Sequence, residues 1–112
     1  MSTGIDWVAV HRLDELRDAY RKYMQAVSTP LDPNATQSVV LKWYKYLIGM
    51  HDAVVFTYAS ARTYASSAQD FAYKAEIQKI VPAGKIPHPN GYLNNEQRAV
   101  LVLLDKLEKE ET

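Results

Sequence analysis

His11 and Glu15 stand four residues apart, a spacing that places an imidazole and a carboxylate on one side of a helix, where both could reach a metal ion. A dimetal carboxylate centre needs a Glu-x-x-His pair on each of two helices, and no such pair occurs in the chain. His11 and Glu15 are therefore expected to form a surface pair. His51 sits on an apolar stripe near Gly49 and is expected to be a capping or core-edge group, with pH sensing as its functional alternative. No serine lies in a Gly-x-Ser-x-Gly elbow, and His11, His51 and His88 are scattered over separate segments, so nucleophilic catalysis lacks its constellation. The run Pro82-Ala83-Gly84-Lys85 lacks the leading glycine, the hydroxyl residue after the lysine and the preceding strand of a phosphate loop. No catalytic residue, metal ligand or cofactor is expected, and the chain is read as not an enzyme.

Lysine plus arginine and aspartate plus glutamate number 13 each, and residues 1–28 carry four of each sign. The balance gives no net attraction to phosphate backbones or anionic lipid, so nucleic acid is a disfavoured partner and no membrane partner is expected. Lys42 and Lys45 precede Gly49, which leaves a DNA-binding regulator as the alternative, one that requires Lys42, Lys45 and Arg62 to gather on one face. The helix that would enter the groove begins Asp52-Ala53-Val54-Val55-Phe56, and that is the composition of a core rather than of a reader of bases. Cysteine is absent, so disulfides and thiolate sites are excluded. Met1 to Asp6 carries no secretory pattern, and the longest strongly apolar run, Ala99 to Leu104, is far below the roughly 20 residues that span a bilayer. A soluble, cytoplasmic protein is expected.

The elements that must position these groups follow from periodicity. Residues 1–112 are long enough for a single domain. Ala9, Leu13, Leu16, Tyr20, Tyr23 and Val27 recur at four and three, which predicts a helix over about residues 6–28, capped by Thr3 or Asp6. Asp32, or Asn34 with Gln37, offers the cap of a second helix.

From Asn34 to Val81 the chain is free of proline. Val40, Tyr44, Leu47, His51, Val54, Tyr58, Ala61 and Ala65 keep one stripe in phase. An unbroken helix over 35–81 would be about 70 Å long, whereas a compact domain of this size has a radius of gyration near 13 Å. A break at Gly49 is therefore predicted, giving helices at about 35–48 and 52–81, with Ser67-Ala68-Gln69-Asp70 as a second candidate start. Prolines and glycines make residues 82–93 a loop. Asn94 and Gln97 form a capping box for a last helix at about 94–110, whose buried side is assigned to Val100, Leu101, Leu103, Leu104 and Leu107. The fold expected is all-α: a small four-helix bundle or related array with a Pro/Gly-rich loop before the last helix.

Surfaces then become the candidate functional feature. Ala61, Ala65, Ala68, Ala72 and Ala75 form a ladder of small residues that lets another helix approach closely. Internal packing and a partner seam are both compatible with it. Eight tyrosines are more than one core can hold on helices, and tyrosine favours interfaces. Tyr58 and Tyr64 would flank the ladder, while Ile86, His88 and Tyr92 would line a rigid loop surface. The leading reading is a non-enzymatic protein–protein interaction module, self-associating as a homodimer or binding another protein, of a size that suits a viral or mobile-element accessory protein. A second alternative is a small-ligand pocket around Trp43, Tyr44, His51 and Tyr58.

Overall fold

The computed structural model describes residues 7–111, the side chains of Leu104, Glu108, Glu110 and Glu111 excepted. Thr3 and Asp6, the expected first caps, lie outside the described residues. Four helices follow in order, α1 (Trp7–Val27), α2 (Gln37–Ala68), α3 (Phe71–Ile80) and α4 (Asn95–Glu111), with short 3-10 turns at Pro82–Gly84 and Pro89–Tyr92 in the connection before α4. The fold is all-α, and no strand occurs among the described residues.

Helix α2 corrects the expected division of the long run. It continues through Gly49 for 32 residues, and the break at 48–52 does not exist. A mid-helix glycine costs about 1 kcal/mol against alanine, whereas Leu47 and Val54, on either side of it, are fully buried and each contribute about 1.5–3 kcal/mol. Burial wins. The chain turns instead at Gln69, which takes the left-handed conformation (φ 53°, ψ 40°). The Gln69 N–H donates to the Ser66 carbonyl at 3.3 Å and the Asp70 N–H to the Ala65 carbonyl at 3.2 Å, the two bonds of a Schellman end. Asp70, rather than Ser67, caps the next helix, its carboxylate accepting from the Tyr73 N–H at 3.0 Å.

The other helix starts divide between expectation and correction. Thr36 caps α2 by accepting from the Val39 N–H at 3.3 Å, while the Asp32 carboxylate accepts from the Asn34 N–H at 2.8 Å within the preceding turn. At α4 the box forms as written: Asn94 Oδ1 accepts from the Gln97 N–H at 2.8 Å, and Gln97 Oε1 accepts from the Asn94 N–H at 3.1 Å. The Gln97 amide also donates to the Asp32 carbonyl at 3.1 Å, so a buried polar side chain fastens the root of α4 to the α1–α2 connection.

Helices α1 and α2 run antiparallel, since Arg12 near the start of α1 donates to the Ser60 carbonyl near the end of α2 at 3.1 Å. Their facing stripes make the core: Leu16, Tyr23 and Val27 from α1, Leu47, Val54, Ala61 and Ala65 from α2, joined by Tyr73, Ile77 and Val81. The Tyr73 hydroxyl donates to the Ala9 carbonyl at 3.0 Å, and the Tyr23 hydroxyl donates to the carbonyl of Pro87, so α3 and the connection before α4 are both tied to α1. The outer face of α1 is laced with ion pairs, and Lys22 and Arg21 beside Asp18 hold its carboxyl below the usual range. The particle measures 59 × 33 × 20 Å with a radius of gyration of 17.8 Å. A compact chain of this length would measure about 13 Å.

Candidate interaction surfaces

The structure divides the small-residue ladder. Ala61 and Ala65 have no exposed surface and lie in the chain's own core, which corrects their assignment to a partner seam. Their missing bulk is what lets α1 and α3 close on this end of α2. Tyr64 is half-buried beside them, its ring 4.9 Å from that of Tyr73 and 5.7 Å below the Arg12 guanidinium. Ala68, Ala72 and Ala75 are exposed, but the left-handed turn at Gln69 separates the first from the other two, so no continuous stripe survives. Tyr58 is half-buried against the Pro82–Gly84 turn.

The connection before α4 is pinned rather than free. Ile86 packs on the core, His88 is exposed and its Nδ1 accepts from the Asn90 N–H at 3.1 Å, and Tyr92 is partly exposed. Rings from three elements form a chain here. The His88 ring lies 6.4 Å from Tyr44 and 5.0 Å from His51, and His51 lies 5.8 Å from Tyr23. His51 Nδ1 stands 3.3 Å from the Asp52 carboxylate. Burial, with a smaller contribution from Tyr92, pushes the Tyr23 phenol up to about 12. The group therefore stays a neutral donor, which suits a latch holding residues 85–93 on α1 and α2.

The remaining expected constellations stay apart. Trp43 packs at the margin of the core, Tyr44 borders a cleft between α2 and α4, and Tyr58 borders another between α2 and α3, so Trp43, Tyr44, His51 and Tyr58 do not enclose one pocket. Lys45 lies on the α4 cleft and Arg62 on the α3 cleft, and α2 does not turn where a helix-turn-helix requires it to. His11 and Glu15 form an exposed pair at 2.6 Å. Among the described residues no group of three or more His, Asp or Glu side chains could hold a metal ion, and no helix is long and apolar enough to cross a membrane.

The surface that sequence reasoning missed is the open face of α4. Only Val100 and Leu101 of its assigned buried side are half-covered; Leu103 is 53% and Leu107 46% exposed, with Val102 at 68%. Leu104 lies outside the described side chains. The first turns of α4 are tied back to the Pro89–Tyr92 turn, where Arg98 donates to the Asn90 carbonyl at 2.9 Å. Leu41, Tyr44, Lys45, Leu101, Val102 and Asp105 line a cleft of about 480 Å³ between the two helices. A second apolar cluster, Trp7, Val8 and Phe56, is exposed where α1 begins. The sequence identifies which side of α4 is apolar, but α2 reaches only part of it. Comparison of this chain with known protein families, curated proteins and solved structures finds no match.

Proposed function

We propose that this chain is a non-enzymatic helical interaction module whose partner is a second copy of itself, docked on the apolar face of α4. The observation that carries the proposal is the exposure of Leu103 and Leu107 on the side of α4 turned away from the Leu101, Val102 and Asp105 cleft against α2. Val100, Leu103 and Leu107 are spaced by three and four, the repeat that interlocks two helices along a seam.

The chain exposes 7868 Å², against about 6,200 Å² for a compact monomer of its mass, so the elongated particle leaves open more surface than a compact fold of its size would. Sedimentation across a dilution series should show a concentration-dependent dimer. Leu103→Glu with Leu107→Glu should yield a monomer of unchanged helicity, because both positions are already exposed. A wild-type chain that stays monomeric at every concentration overturns the reading.

A further inference from the structure

We propose that the cleft between α2, α3 and the Pro82–Gly84 turn is a binding site for a compact oxyanion, with the phosphate group of a small molecule as its best fit. Tyr58, Arg62, Lys74, Ile77, Gln78, Ala83 and Gly84 line a space of about 260 Å³. Its polar groups are almost all donors. Arg62 Nη1 donates to the Tyr58 hydroxyl oxygen at 3.1 Å, which leaves the phenolic proton and the other guanidinium N–H groups to donate elsewhere. Lys74 adds an ammonium, and beside the Tyr58 oxygen already engaged by Arg62 the Gln78 carboxamide brings both an acceptor and a donor.

Among the described residues no carboxylate lines this cleft. The acids of the neighbouring elements are engaged elsewhere: Asp70 caps α3, and Glu76 pairs with Lys79 at 3.0 Å beside a different cleft, against α1. In a chain with equal numbers of acidic and basic groups, Arg62 and Lys74 thus share a hollow without a countercharge. Their nearest aromatic contacts, Tyr58 at 5.8 Å from the guanidinium and Phe71 at 5.4 Å from the ammonium, hold each cation without neutralising it. The guanidinium and the phenol stand on α2 and the ammonium on α3, so donors from two helices line the one hollow.

The turn that closes the cleft is built for close approach. Gly84 has φ +65°, and a Cβ added there would lie 2.7 Å from the Tyr58 hydroxyl, so any larger residue displaces the donor that faces the ligand. The proposal does not depend on self-association, because α4 contributes nothing to this lining.

The test is a titration of the full chain with inorganic phosphate at ionic strength held constant with sodium chloride, followed through the backbone amide resonances of Gly84 and Lys85. A saturable shift is expected, weakened at least tenfold in Arg62→Gln and in Lys74→Gln, both of which replace solvent-reaching side chains and leave the core intact. Gly84→Ala should abolish it, and the two cation variants carry the test if that turn refuses to form. Shifts that do not saturate, or that are the same in wild type and both cation variants, overturn the proposal.

Discussion

Tyr23 concentrates several effects in one side chain: it is fully buried, its ring meets His51, and its hydroxyl donates to the Pro87 carbonyl. Burial pushes its pKa from 10.0 up to about 12, so the folded state holds the phenolic proton more tightly than the unfolded chain does. The corresponding stability is fully present below about pH 10 and is lost as pH rises toward about 12. Denaturant titrations between pH 8 and pH 12 should show that decline. In Tyr23→Phe the decline should shrink, and stability at pH 8 should fall by about 1–3 kcal/mol because the Pro87 carbonyl loses its donor. The two halves of the alanine ladder separate at the same scale. Ala65→Leu overfills the core and should cost about 1–3 kcal/mol, whereas Ala68→Leu on open surface should stay within about 0.5 kcal/mol. Thermal unfolding of the pair measures the contrast.

At the scale of elements, Gly49 is the clearest test. It is exposed in the middle of α2, and a Cβ there would meet nothing within 4 Å. Gly49→Ala should therefore stabilise the protein by up to about 1 kcal/mol, which calorimetry would register as a higher Tm; destabilisation would mean that α2 bends at this point. The stripe from Val40 to Ala65 and the Asn94–Gln97 box were legible from spacing, because each depends on residues within a turn or two of one another. The Gln69 turn was not. A glutamine in the left-handed region costs about 1–2 kcal/mol, and the Schellman bonds and the Asp70 cap that offset it become visible only once the helix has ended. The coverage of α4 was illegible for a similar reason. Periodicity shows which side of a helix is apolar, while the neighbour that covers it depends on how far α2 extends.

For the whole molecule, the radius of gyration of 17.8 Å is a prediction in itself. Small-angle scattering from the Leu103→Glu, Leu107→Glu monomer should give a value near it, and a value near 13 Å would mean that α4 folds back onto the body. Chemistry-bearing residues gave little in the sequence because those that matter are brought together by tertiary structure: Arg62 and Lys74 lie 12 positions apart and meet Gly84 only through the turn at Gln69. The uninterrupted α2 also has a mechanical corollary. Thirty-two residues at 1.5 Å each make a rod of about 48 Å inside a particle 59 Å long, with the α4 seat on its first half and the donor-lined hollow on its second. The chain thus carries its own ruler. Anything gripped at the two stations is held at a set separation, and evolution can regraduate that distance only in whole helical turns.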